Sequence, residues 1–392
     1  MLKKSIVVFI ILCSLELYNL TFIPESLTKA LGLLGALVII GLLIINVIYN
    51  ERISFKLNFK YEIIILLVAV FISMFMAKIF HGQSIPTTLL VQRYMYYLLF
   101  YFLLAYLRLD QYELMRIIIY FAIAYFFIYL IQYAIYPSRI FRGRASLDRG
   151  TIRIFLDGYV YLISALFIGL FQFYNFNKIK YIIVSGMAVI ILVLQGTRQS
   201  MAAAGLLIII SVIFSKQAKS KFLYMFLLLL GGISIFIIFQ DIFMNLLEVT
   251  QHEQNQSTDN VRVRAATFFL TVFMPDKLTY FLGNGASSSN EEYGQLMEMY
   301  ADVYGFYRSD IGLIGTYVTF GPLFIIGELA IYFKVFRKRL PESISFVKYV
   351  FVFQFFKILT GSDPFGGMSG IVSYMILLYL IDISLAEENN TS

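Results

Sequence analysis

The run TKALGLLGALVIIGLLIINVIY (28–49) holds a single charged side chain, Lys29, and is apolar on every face of a helix. A helix crosses the hydrocarbon of a bilayer in about 20 largely apolar residues, so this stretch reads as a membrane span. The same pattern recurs along the chain. Twelve segments are read as spans: 5–23, 28–49, 61–80, 89–107, 116–136, 154–174, 181–195, 200–215, 222–240, 311–333, 344–360 and 367–386. The seventh and eighth are short. The expected fold is an all-α polytopic membrane protein of about 12 transmembrane helices, a single integral membrane domain over residues 1–392.

Composition supports this. Of the 392 residues, 60% are hydrophobic and 14% charged, against roughly 25% charged in soluble proteins; the mean hydropathy is +0.79. Cys13 is the only cysteine, which excludes a disulfide framework or a thiolate metal site within one chain. The first apolar run lacks a small-x-small cleavage site, and no small residue precedes Cys13 as a lipoprotein site would require, so a retained span is expected. There is no tryptophan, leaving 29 tyrosines to supply most of the interfacial belt. The net charge of +7 is accounted for largely by lysines meeting anionic lipid. No aromatic-and-basic motif marks nucleic-acid binding.

Orientation follows from the loops. With the N-terminus inside, the inner segments carry Lys3, Lys4, Lys56, Lys60, Lys178, Lys180, Lys216, Lys219, Lys221, Lys334 and Lys338 with only five arginines. These loops are short and basic, as cytoplasmic loops should be, which gives N-in and C-in. The outer loops carry ten arginines: Arg93, Arg139, Arg142, Arg144, Arg149, Arg153, Arg198, Arg262, Arg264 and Arg308. Positive charge normally avoids the translocated side. Arginine is also the side chain whose planar fork best matches phosphate, so a phosphate-bearing substrate gripped on the outer face is expected.

Two outer segments exceed ordinary connections. PSRIFRGRASLDRGTIR (137–153) is an Arg-rich outer loop with five arginines. Residues 241–310, between the ninth and tenth spans, form a large and partly helical outer loop. Within it, QHEQNQSTDN (251–260) reads as a solvated linker and RVRAATFFLTVFM (262–274) as an amphipathic helix at the interface. FLGNGASSSN (281–290) reads as a turn-rich break, and EEYGQLMEMYADVYG (291–305) as a further helix.

The candidate phosphate ligands are Arg139, Arg142 and Arg144 around Gly143, then Arg153, Arg198, Arg264 and Arg308. An arginine this close to hydrocarbon, as in LQGTRQSMAAAG (194–205), is costly unless paired or facing water. Snorkelling to lipid headgroups is the competing reading for Arg198, and lipid contact is the competing reading for the 137–153 loop and for Arg262 and Arg264. Asp310 and Asp157 are the candidate bases; Asp310 is equally readable as a helix-start residue. His81 reads as a loop-tip residue, and Lys348 and Lys357 as facing the bundle interior. No Asp-x-Asp pair, HExxH or Ser/His/Asp arrangement is present, so neither a metal nor a cofactor is called for.

These elements together resemble the O-antigen polymerase and ligase superfamily of bacterial surface-polysaccharide assembly. Thr197 and Arg198 in LQGTRQSMAAAG stand where that family has its Ser/Thr-Arg segment. Arg264, an apolar helix and LGNG (282–285) are similar to its arginine, helix and Gly-x-Gly order, and SDIGLIGTYVTFG (309–321) resembles the span that follows. Arg139 and Gly150 fit an Arg-x10-Gly spacing of polymerase outer loops. The resemblance covers residues 137–322 and implies a GT-C-like fold in the cytoplasmic membrane. It further implies metal-independent glycan transfer between undecaprenyl-pyrophosphate-linked oligosaccharides, with a flippase and a chain-length regulator as pathway partners. Ligases of the superfamily carry a histidine late in the large loop, where this chain has Tyr307-Arg308-Ser309-Asp310; the departure favours a polymerase. The alternatives are an O-antigen ligase, a relative resembling bicarbonate-uptake proteins, or a 12-span transporter or flippase for lipid-linked sugars. A transporter would be expected to place its longest loop at the centre, where this chain has only NFNKIK (175–180).

Overall fold

A computed structural model describes residues 2–49, 56–148, 150–214, 221–255, 260–361 and 364–391, and 80% of the structure is helical. Helix α1 (Leu2–Ser14) ends in a tight turn at Glu16–Asn19, followed by α2 (Glu25–Ile48). Helix α3 (Lys60–His81) stops at Gly82, which adopts φ +68°. Helix α4 (Ile85–Val91) continues through a 3-10 stretch (Gln92–Leu99) into α5 (Phe100–Leu107). The Asp110 carboxylate caps α6 (Gln111–Ile135), accepting from the amides of Tyr112 and Glu113 at 3.0 and 3.3 Å. A hairpin of β1 (Ala145–Asp148) and β2 (Thr151–Ile154) precedes α7 (Tyr159–Phe176), α8 (Ile179–Leu194), α9 (Arg198–Phe214) and α10 (Lys221–Ile238). Then come α11 (Gln240–Asn255), α12 (Val261–Thr271), α13 (Lys277–Leu282) and α14 (Glu292–Tyr304). A short turn (Arg308–Ile311), α15 (Leu313–Phe320), α16 (Pro322–Arg337), α17 (Phe346–Thr360) and α18 (Met368–Thr391) complete the chain.

Among the described residues, seven helical stretches are long and apolar enough to cross a membrane: α2, α3, α4–α5, α6, α7, α10 and α18. They correspond to seven of the twelve segments read from the sequence. The other five fall short as single helices. Helix α1 has 13 residues, α8 16, α9 17 and α17 15. The tenth segment is divided at Gly321, where φ +78° separates α15 from α16. Apolar composition explains both the buried and the exposed helices. Helices α7 and α18 are apolar on all sides and lie at the centre, with Tyr161, Ile163, Phe167, Tyr374 and Leu377 fully buried. Helix α10 is equally apolar but has no buried residue; a water-facing surface of Phe222, Leu229 and Ile237 would be strongly unfavourable, whereas lipid accommodates it.

The bundle has two chemically distinct ends. At one, Lys4 pairs with Glu113 at 2.5 Å, Lys334 with Glu62, and Lys338 bonds the Asn58 side chain at 2.9 Å. The other end gathers the hairpin, the α8–α9 turn, α12–α14 and the far end of α17. Among the described residues, Lys4, Lys334 and Lys338 thus lie at one end and Arg153, Arg198 and Arg262 at the other.

The 137–153 region departs from an all-α chain. Its second half is an antiparallel hairpin pairing Ala145 with Ile154 and Asp148 with Thr151. The expected linker at 251–260 is also corrected in part, since α11 remains helical through Asn255; residues 256–259 lie outside the described residues. Helix α12 is not free to lie on lipid. Its Phe269 is fully buried and Phe268 stacks edge-on to Tyr300 of α14 at 4.7 Å, within a small core shared with Tyr293, Met297 and Val318.

That core is fastened to the bundle at the FLGNG stretch. The Gly283 backbone (φ +75°) crosses Gly321 so closely that a Cβ on Gly283 would lie 2.5 Å from the Thr319 carbonyl and 2.6 Å from the Gly321 amide. A Cβ on Gly285 would lie 2.7 Å from Ala77 of α3. These glycines permit close backbone approach within the protein. Gly283→Ala is therefore expected to lower the unfolding free energy by roughly 2 kcal/mol or more, read as an earlier thermal transition of the purified protein. A variant as stable as wild type would contradict the crossing.

Candidate functional site at the arginine-rich end

The hairpin is held against the α8–α9 turn. The Thr151 hydroxyl donates to the Leu194 carbonyl at 2.8 Å, and Arg153 Nε to the Gln195 carbonyl at 3.3 Å. Arg153 also pairs with Asp148 at 2.7 Å and lies 5.1 Å from the Phe155 ring. Helix α9 begins here at Arg198, and its first turn clasps the end of α17. Gln199 Nε2 donates to the Phe356 carbonyl at 2.5 Å, and Lys357 Nζ to the Ser200 hydroxyl at 3.3 Å. Lys357 lies 5.7 Å from the Tyr159 ring, and the guanidinium groups of Arg262 and Arg153 are near enough to repel its ammonium. Segments distant in sequence therefore bring the charges of Arg153 and Arg262 within electrostatic reach of Lys357, which bonds the first turn of α9. Like charges so placed are unfavourable without an anion between them.

A carboxylate pair stands on the adjoining side. Helix α7 begins only at Tyr159, so Asp157 precedes the span rather than lying within it. Asp157 is exposed at its carboxylate end, with protein packed densely around the rest of it. Desolvation and the nearby Glu16 carboxylate push it up to about 6, while the Asn19 amide, donating at 3.4 Å, pulls the other way. The Tyr125 hydroxyl is within electrostatic reach of Asp157 and accepts from Gln195 Nε2 at 3.3 Å, joining the carboxylates to the cationic cluster.

Glu16 and Asn19 owe their position to an unusual turn. Glu16, Leu17, Tyr18 and Asn19 all have positive φ, of 45°, 51°, 59° and 50°. Each such residue costs about 1–2 kcal/mol, so the surroundings must hold the turn. Tyr18 donates to the Phe121 carbonyl at 3.3 Å, and the Arg142 amide to the Asn19 carbonyl at 2.8 Å. The Arg142 guanidinium binds the carbonyls of Leu20 at 3.2 Å and Thr21 at 3.3 Å, and that of Ile23 as well. Arg142, expected at the phosphate, is thus occupied as a clamp on the chain that carries Glu16 and Asn19. Arg142→Ala should lower stability by about 2 kcal/mol in thermal unfolding, with Arg142→Lys recovering only part of it because one ammonium cannot span three carbonyls. An unchanged transition would rule out the clamp.

The remaining candidates divide. Arg139 is exposed and reaches the Ala145 carbonyl at 3.4 Å; Arg144 is exposed at the base of the hairpin. Helix α12 starts at Val261, so Arg262 and Arg264 diverge. Arg264 is exposed, 5.9 Å from the Phe306 ring, and it is Arg262 whose charge reaches Lys357. Arg308 is drawn into the outer core, bonding Ser287 at 2.6 Å and the Tyr293 hydroxyl at 3.2 Å. Asp310 is exposed and close to Ser309, whose hydroxyl lies 3.4 Å from its carboxylate. Arg149 lies outside the described residues. His81 is not a loop tip: it bonds Asn284 at 3.0 Å and stacks on Tyr293 with ring centres 3.9 Å apart. Arg93 pairs with Glu16 at 3.6 Å. Lys357, Arg262 and Glu16 are the site residues the sequence reading did not select; the intramembrane lysine was the available signal for the first. Among the described residues no group of three or more His, Cys, Asp or Glu could hold a metal ion. No protein-family model, curated protein or solved structure matches the chain.

Proposed function

We propose that the chain is a polysaccharide polymerase of the bacterial cytoplasmic membrane, joining undecaprenyl-pyrophosphate-linked oligosaccharide units on the outer face. In this reading it crosses the membrane about twelve times with both ends inside, α15 and α16 together making one broken crossing. The observation that carries the reading is the gathering of Arg153, Arg262 and Lys357 from segments far apart in sequence, with Asp157 linked to them through Tyr125 and Gln195.

The chemistry needs both parts. The acceptor sugar hydroxyl attacks the donor anomeric carbon and its proton passes to Asp157. The bond from that carbon to the pyrophosphate oxygen breaks, and the lipid pyrophosphate leaves with the electron pair. The leaving group gains charge as the bond breaks, so guanidinium and ammonium groups aimed at it stabilise the transition state more than the ground state. Arg198, at the first turn of α9, is assigned to the same pyrophosphate. Arg142 and Arg308 serve as supports for the site's walls.

Reconstitution decides it. Purified protein in lipid, given lipid-linked repeat units, should lengthen them with no second protein present. Repeat units that cross the bilayer without growing would make it a flippase, and transfer of finished polymer to a lipid A core acceptor would make it a ligase. A flippase and a chain-length regulator are the partners expected in the cell.

A further inference from the structure

A cavity of about 610 Å³ lies at the opposite end of the bundle from the proposed catalytic centre. Lys56, Lys60, Lys334, Arg337 and Lys338 line it with Asn58. Asn58 organises this wall. Its amide and Nδ2 donate to Asp382 at 3.1 and 2.7 Å, while its two oxygens accept from Lys334 at 3.1 Å and Lys338 at 2.9 Å. The Asp382 carboxylate also accepts from Tyr101, and Glu62 binds Lys334. Both neighbouring carboxylates are therefore committed to the wall, and five cations face two acids. Lys338 is held below the usual lysine range by burial, and the Lys334 and Lys56 ammonium groups act in the same direction against the opposing pull of Asp382. The first two residues of α3 also line the cavity, at a helix start that has no side-chain cap, where backbone amides favour an anion.

We propose that this pocket binds a phosphate-bearing anion. The volume lies within the range of small-ligand sites, and phosphate would satisfy ammonium, guanidinium and helix-start donors together. The two sources of that chemistry are the headgroup of an anionic phospholipid and a free phosphate ester, and competition separates them.

The test uses the full chain purified in neutral detergent, with dihexanoyl phosphatidylglycerol, dihexanoyl phosphatidylcholine and glycerol 3-phosphate as probes. Lys56 and Arg337 are both exposed, so the double variant Lys56→Gln/Arg337→Gln should fold normally, which its thermal transition checks. Saturable binding of phosphatidylglycerol, absent for phosphatidylcholine and weakened about tenfold or more in the double variant, is the expected result. Displacement by glycerol 3-phosphate identifies a site for free phosphate esters; retention against it identifies a lipid site. Equal binding of both lipids, or unchanged binding by the double variant, overturns the proposal. Glycan elongation is a separate readout, so a failed polymerase assay leaves this result independent.

Discussion

Asp157→Asn is expected to reduce polymer formation by about 10²–10⁴-fold, the range for loss of a general base. Asparagine keeps the shape and can still meet the Asn19 amide, but cannot take a proton. The pH profile separates this role from a structural one. Wild-type rate should rise with pH through about 6, where Asp157 loses its proton, and the variant's residual rate should lack that limb. Because Glu16 helps to raise Asp157, Glu16→Gln should move the limb to lower pH. The stability sign is opposite to that of a salt-bridged carboxylate. An acid whose folded value is raised contributes stability below the ordinary carboxylate range, which is lost as pH rises through about 6. Asp157→Asn should therefore be no less stable than wild type at pH 7. A variant with a wild-type rate, or with the same acid limb, would remove Asp157 from the reaction.

Arg198→Lys should lower polymer formation by about 10²–10³-fold while the protein still folds, the scale for loss of an aimed transition-state donor. Lysine preserves the charge at the first residue of α9 but loses the planar fork that meets two phosphate oxygens at once. The neighbouring Gln199 and Ser200 hold Phe356 and Lys357 of α17, so the same turn both carries Arg198 and fixes the lysine. A full polymer ladder from Arg198→Lys would take Arg198 out of the site. The reading then rests on Arg153, Arg262 and Lys357.

Much of the helical architecture was legible because apolar runs have one physical consequence in a membrane. Seven of the twelve runs became helices of spanning length. The broken tenth run was not, since Gly321 reads as an ordinary glycine until its partner Gly283 is in view. The arginine bias singled out one end of the bundle but could not sort its members. Hydrogen-bond partners decide whether an arginine is free to meet a ligand, and those partners are distant in sequence: Arg142 meets Leu20, and Arg308 meets Ser287. The choice between Arg262 and Arg264 turned on distant partners too: the charge of Arg262 reaches Lys357, whereas Arg264 lies 5.9 Å from the Phe306 ring. Four consecutive left-handed residues at Glu16–Asn19 carry no sequence signal, because none of the four is glycine.

The clasp between α9 and α17 has a consequence for how the protein is made. Synthesis proceeds from the N-terminus, so Asp157, Arg153 and Arg198 are in place long before residue 357 leaves the ribosome. Until α17 arrives, the Gln199 and Ser200 side chains lack their partners at Phe356 and Lys357. A nascent or truncated chain ending before α17 would carry Asp157, Arg153 and Arg198 but lack the contacts that fix the first turn of α9. The final geometry of the turn that opens α9 is thereby deferred to about the last tenth of translation, when its partners on α17 are made.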